Sequence, residues 1–363
     1  MSQPPAPPLD LTADVARLTA GLIDIESVSG NETAIADVVE QALVPLAHLE
    51  VLRDGDCVMA RTMLGRDERV ILAGHLDTVP LPTRAGSRGT VPSRWEGEVL
   101  FGRGATDMKG GVAVQLALAA TLVDPTRDIT FVFYDHEEVE ASLSGLGRVA
   151  RSHPEWLQAD FAVLLEPTNG TVEGGCNGTA RFDVRVTGRA SHAARAWMGV
   201  NAIHGAAEIL GRLRDHEPAT VRVDGLDYRE SLNAVRIAGG TAGNVIPDST
   251  VIEVNYRFAP DKGPDEAEAY VGALLEGFDV ERTDAAPGAR PGLQHPAAAA
   301  FVAAVGAEPK PKYGWTDVAR FSALGVPAVN FGPGDALLAH TDDEHVHADA
   351  IRACLDALVA WLS

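Results

Sequence analysis

Four short apolar runs, rich in β-branched and aromatic residues, recur along the chain, and a histidine or an acid closely follows each one. Residues 70–73 (VILA) precede Gly74, His75 and Asp77. Residues 129–134 (ITFVFY) run straight into Asp135, His136, Glu137 and Glu138. Residues 161–165 (FAVLL) end at Glu166 and Pro167, and residues 328–331 lead into the segment that carries His340. Runs of this length and composition read as buried strands. Segments with helical spacing separate them, and residues 112–122 are apolar and alanine-rich enough for a buried helix. Strands that alternate with helices predict an α/β sheet with helical crossovers. In such sheets ligands bind outside the carboxyl ends of the strands. His75, Asp107, Glu138, Glu166 and His340 are therefore expected to converge.

With 363 residues and 46% hydrophobic composition, two domains with a sizeable core are the natural expectation. The net charge of −21 disfavours nucleic acid or an anionic membrane as partner. Cys57, Cys176 and Cys354 are far apart and form no CxxC pair, which suits reduced thiols in a cytoplasm rather than a disulfide framework. No apolar run approaches the roughly 20 residues of a membrane span. The opening MSQPPAPPLD has no basic region followed by an apolar one, so no signal peptide is expected, and its prolines suggest a loose tail.

Taken in order, residues 11–23 have helical spacing, and residues 27–32 form a turn that can cap a helix over 33–46. Strand pieces are expected near Val51 and over 58–63, and a polar, glycine-rich loop over 84–102. Asp107 lies just before the alanine-rich helix, where amide groups favour a carboxylate. A last helix covers 348–362. The middle third reads as strand 180–187, helix 201–213, strands 232–238 and 250–258, helix 265–275 and strand 278–282. This βαββαβ order is one of the split ferredoxin-like ones, with a short extra stretch near Val221. TDAAPGARPG then looks like a linker back. The expected organisation is a catalytic domain over 1–177 and 288–363, with residues 178–287 inserted as a lid and dimerisation domain.

Two histidines and three carboxylates suit Zn²⁺, which takes imidazole nitrogen and carboxylate oxygen. Five donors are too many for one tetrahedral catalytic ion with an open position, but they suit two ions that share a carboxylate. Two ions about 3.5–4 Å apart can lower the pKa of a water and hold an attacked carbonyl. Co²⁺ or Mn²⁺ can use the same donors. Glu137, next to Glu138, is placed to stay unbound and accept a proton. Asp77, two residues from His75 in an extended segment, is placed to orient its ring.

GHLDTVP, GRGATDMKGG, DHEEVE, LLEPT and the late AHTDDE together, in this order, resemble the motifs of the M20 family of dinuclear zinc amidohydrolases and peptidases. The resemblance covers nearly the whole chain. It implies a mixed sheet flanked by helices with an inserted ferredoxin-like domain. It also implies that His75 and Glu166 hold one zinc, Glu138 and His340 the other, and that Asp107 bridges them. Glu137 would be the general base and then the proton donor to the leaving amine. His192, in RASHAA, would stabilise the oxyanion, often from across a homodimer. Asn244, Arg257, Thr316 and Arg320 match substrate-binding positions, and the two arginines suit a substrate with a free carboxylate. Within the family, residues 173–204 and 226–248 are most similar to the branch that hydrolyses the amide of N-succinyl-LL-2,6-diaminopimelate. Other acylated amino acids, acetylornithine among them, are the alternative substrates. The chain departs from that pattern at Asp135–His136 and near Thr179, Arg195 and Ala336, which bears on acyl and amine contacts and leaves the metal set intact.

Overall fold

The computed structural model describes residues 7–363, so most of the stretch expected to be a loose tail lies outside the described residues. Among these the chain forms two compact units. The first takes the residues up to Gly174, Gly292–Lys310 and Arg320–Ser363, and the second takes Gly175–Pro291 and Pro311–Ala319.

An eight-stranded mixed sheet runs through the first unit in the order Glu50–Asp54, Cys57–Arg61, Asp128–Tyr134, Arg69–His75, Phe161–Leu164, Ala328–Asn330, ending in the short pieces Glu173–Gly174 and Lys310–Pro311. The four middle strands, from Asp128–Tyr134 to Ala328–Asn330, are mutually parallel. Their side chains are buried almost throughout, as expected for parallel strands covered on both faces. Register brings their carboxyl ends level: His75 lies opposite Tyr134, and Leu164 opposite both Ala73 and Asn330. From Arg69–His75 the chain moves to Asp128–Tyr134 on one side and then to Phe161–Leu164 on the other. A crevice at such a reversal of direction is where this class of sheet binds ligands.

Helix Lys109–Thr121 is buried along nearly its whole length, which its small and aliphatic composition permits. It packs with Val15–Ile23, Thr33–Leu43 and Ala348–Leu362 into one apolar core with the sheet. Asp14 caps Val15–Ile23 by accepting from the Ala16 amide. The stretch 84–102 is not wholly a loop. Arg94–Glu96 and Val99–Phe101 form a hairpin about Gly97 (φ +62), joined by His345–His347 into a three-stranded sheet. Each strand has only three residues, too few for an apolar period to show in the sequence. This sheet ties the segment after His340 to the segment before Asp107.

The second unit has a four-stranded antiparallel sheet in the order Ser231–Gly239, Ser249–Phe258, Gly178–Thr187, Asp279–Ala286. Helices Ala202–Asp215 and Pro264–Leu274 cover it, and Phe182, Ile209, Ile252, Val254, Tyr256 and Val271 lie in its core. This is the βαββαβ order. The extra stretch near Val221 is a separate hairpin, Thr220–Val223 with Leu226–Arg229.

Candidate metal centre

His75 is the last residue of its strand and is buried. Its Nδ1 lies 2.9 Å from the main-chain oxygen of Asp77, so Nδ1 donates and Nε2 faces Asp107 Oδ1 at 3.2 Å. The orienting group is therefore the Asp77 carbonyl, while the nearer carboxylate oxygen stands 3.6 Å from Nδ1. The Asp77 carboxylate has different partners. It accepts from the amides of Glu137 and Glu138, each at 3.0 Å, and from Ser29 Oγ at 2.7 Å. Asp77 thus links the strand end bearing His75 to the loop bearing the glutamate pair. Burial would raise its carboxyl, but the adjacent His75 imidazole, with the Glu137 amide and the Ser29 hydroxyl, holds it down at about 2.

Asp107 lies between two imidazoles, with Oδ1 toward His75 Nε2 and Oδ2 3.3 Å from His340 Nε2. Glu138 Oε1 is 2.9 Å from the same His340 nitrogen. His340 sits in the left-handed region (φ +63), a conformation of sparse population that recurs at functional sites. Three groups of donor atoms each lie within 4.8 Å of one another: His75 with Asp107 and Glu166, Asp107 with Glu138 and His340, and His75 with Glu137 and Glu138. His75, Asp107 and Glu138 each belong to two of these groups, and Asp107 is the member common to the Glu166 group and the His340 group. The sites expected from four strand ends thus meet in one cluster, 265 positions apart in sequence at the extremes (75 to 340).

Within the cluster these carboxylates face the imidazoles of His75 and His340. Hydrogen bonds to Asp107 and Glu138 push His340 up to about 10. Burial would lower His75, but its bonds to Asp107 and Asp77 outweigh this and hold it well above its usual value. Burial alone would raise Asp107, and the two imidazoles instead hold it far below the carboxylate range. Nitrogen and oxygen donors that converge on a shared carboxylate, with protons standing where cations can bind, fit a pair of divalent ions.

Several supporting residues are absent from the sequence-derived set. Glu32, buried beneath the turn 27–32, accepts from the Gly30 amide at 2.9 Å and from the His136 amide at 3.3 Å. Asp135 accepts from Arg148 Nη2 at 2.7 Å and lies 2.7 Å from His136 Nδ1, so His136 braces the loop from outside the donor set. Glu344 and Arg103 form a buried pair behind Asp107. Arg103 and Glu344 are 241 positions apart, and Glu32 and His136 104, so no local spacing marks these pairings.

Of the other predicted residues, Arg320 lies in the first unit, where its Nη2 donates to Ala141 O at 3.5 Å. His192, Asn244, Arg257 and Thr316 lie in the second. His192 is exposed. Its Nδ1 accepts from the Ala194 amide at 3.0 Å, which leaves the proton on Nε2. Strand Ser191–His192 pairs with Val245–Ile246, and the Ala193 amide donates to Asn244 O at 2.8 Å, so His192 and Asn244 are neighbours. Arg257 is half-buried on strand Ser249–Phe258, opposite Thr179, and its Nε donates to Asn255 Oδ1 at 3.2 Å. Thr316 is buried.

Among the described residues, no helix is long and apolar enough to cross a membrane. Residues 71–363 match the family described as peptidase family M20/M25/M40. A Mycobacterium tuberculosis protein provisionally named succinyl-diaminopimelate desuccinylase is 53% identical over 98% of this chain and 99% of its own length. The Corynebacterium glutamicum succinyl-diaminopimelate desuccinylase is 44% identical over 98% of each chain. Among solved structures, a Sulfolobus solfataricus M20 metallo-carboxypeptidase superposes with a TM-score of 0.77 at 14% identity, covering 96% of this chain and 98% of that one. A dinuclear metal-binding M20 peptidase from Bacillus subtilis gives 0.70 at 16%, covering 96% of each.

Proposed function

Because the chain belongs to the M20/M25/M40 peptidase family, we infer that it is a metal-dependent hydrolase that cleaves the amide of N-succinyl-LL-2,6-diaminopimelate. The products are succinate and LL-2,6-diaminopimelate, in lysine and diaminopimelate biosynthesis. Full-length similarity to the desuccinylases supports the substrate. The observation that carries the chemistry is the Asp107 carboxylate, shared between two donor clusters.

In this reading His75 and Glu166 hold one ion, Glu138 and His340 the other, and Asp107 both. Zinc suits the donor set, and Co²⁺ or Mn²⁺ can replace it. Two bound ions supply Lewis acidity that polarises the scissile carbonyl and makes water acidic enough to lose a proton near neutral pH. Glu137 takes that proton and delivers it to the leaving amine nitrogen. Asp77 fixes the main chain of Glu137 and Glu138, so one carboxylate binds while its neighbour stays a base. His192 offers Nε2–H to the developing oxyanion. Arg257 and Arg320, with Asn244 and Thr316, receive the substrate's carboxylates, which guanidinium groups bind in a bidentate fork. We further propose that residues 178–287 act as a lid and dimerisation domain in a cytoplasmic homodimer. A monomer in sedimentation at working concentration would remove the dimer.

The test is steady-state hydrolysis by the zinc-loaded protein. A higher kcat/KM for N-succinyl-LL-2,6-diaminopimelate than for N-acetylornithine supports the assignment. The reverse order transfers the chain to an acetylornithine deacetylase reading, and inertness toward both contradicts it.

A further inference from the structure

Beyond the donors themselves, Arg103 and Glu344 form a fully buried ion pair, 3% and 1% exposed, with Arg103 Nη1 2.7 Å from Glu344 Oε2. Two charges removed from water carry a large desolvation cost, and replacing such a pair by apolar side chains is often neutral or stabilising. Its presence therefore points to a role other than stability. The remaining bonds show what it connects. Glu344 Oε1 accepts from the Thr106 and Asp107 amides, both at 3.1 Å, and Arg103 Nη1 also donates to Thr341 O at 3.3 Å. Thr106 Oγ1 donates to His345 O at 2.6 Å, and the Gly102 amide to Glu344 O at 3.1 Å. One segment, 102–107, ends at Asp107. The other, 340–345, begins at His340. Every one of these bonds fastens one segment to the other.

We propose that Arg103 and Glu344 are positioning residues that hold Asp107 against His340 and so set the affinity of the ion on the Glu138–His340 side. This rests on the reading of the cluster as a two-ion centre. The other ion shares Asp107 but takes its remaining donors, His75 and Glu166, from at or just past the ends of two buried parallel strands. Disturbing the pair shifts Asp107 and His340 for one ion and Asp107 alone for the other, so its effect on the two ions is unequal. A merely structural pair would not discriminate between them.

The test is calorimetric titration of the metal-stripped protein with Zn²⁺, alongside Glu344→Gln, the double variant Arg103→Met with Glu344→Leu, and Thr106→Val. The double variant removes both charges together and leaves no lone charge buried. Thr106→Val removes only the bond to His345 and is the mildest variant should the others fail to fold. The expected result is the more weakly bound ion weakened about tenfold to a hundredfold, as for other groups that orient metal ligands, and the other ion weakened clearly less. Thr106→Val is expected to give a smaller shift in the same direction. Unchanged affinity for both ions in folded variants overturns the proposal, and so does equal weakening of both with a lowered melting temperature. Fewer than two ions bound by the unaltered chain would instead defeat the two-ion reading itself, so the two failures are distinguishable.

Discussion

In the first unit His75, Asp77 and Glu166 are buried at or just past strand ends, Asp107 sits between two imidazoles, and Asp77 alone accepts three hydrogen bonds. In the second unit His192 and Asn244 are exposed, the one accepting a main-chain amide at a ring nitrogen and the other at its carbonyl. The first set is tied into buried hydrogen bonds, with His340 its exposed member. The other is solvated. Donors that must not move are built into parallel strands and their neighbouring loops, as precise sites require. The contrast implies that changes in the first unit alter ion affinity or the chemical step, and changes at His192 alter turnover alone.

The strongest way to break this contrast is Glu137→Gln, which removes a proton acceptor from the first unit without removing a donor to either ion. It is expected to lower kcat by about a thousandfold to ten-thousandfold with both ions retained, read by steady-state kinetics and metal analysis of the same sample. His192→Ala comes next. A loss of about a hundredfold to a thousandfold in kcat is expected, with ion content and melting temperature unchanged. Ion loss in that variant would erase the distinction between the units. Asp77→Asn sharpens it from the other side. An amide offers one acceptor oxygen where the carboxylate offers two, so one of the Glu137 and Glu138 amides loses its partner. A fall of about tenfold to a hundredfold in ion affinity or activity is expected, measured by chelator competition and assay.

The smallest effect is a pH slope. In the ion-free chain His340 is held up at about 10 by its bonds to Asp107 and Glu138, and His75 is raised in the same direction. His340 is therefore protonated at neutral pH, and an ion on its side has to displace that proton. Zn²⁺ affinity on the His340 side is expected to rise about tenfold per pH unit above neutrality, levelling near the raised value. Calorimetry in buffers of different ionisation enthalpy counts the released protons. Folding of the ion-free chain follows the opposite course. A raised folded-state value stabilises fully below the ordinary 6.5 and is lost as pH climbs through about 10, so the ion-free melting temperature falls over that interval.

Members of the cluster are legible in the sequence because the strands are apolar runs and a histidine or an acid follows each of them closely. His75, Glu138 and Glu166 are legible in this way, and Asp107 through the helix it precedes. His340 is harder, since nine residues lie between it and the end of strand Ala328–Asn330. What pins these groups was not legible. Glu344 lies in an acidic stretch where one more carboxylate carries no information, and its partner Arg103 is 241 positions away. Ser29 and Asp77 meet across 48 positions. Local pattern encodes elements, whereas buried polar pairing depends on which loops the sheet order brings together. The hairpin within 84–102 escaped for the opposite reason, being too short for any period to emerge. Arg257 and Arg320 were reached only through resemblance, because an arginine on a strand or helix has no chemical signature of its own.

The most direct test is anomalous scattering at the zinc edge from crystals of the zinc-loaded protein. Two peaks flanking the Asp107 carboxylate are expected, one beside His75 and Glu166 and the other beside Glu138 and His340. A single peak, or peaks away from Asp107, would contradict the shared-carboxylate centre on which the hydrolase reading stands.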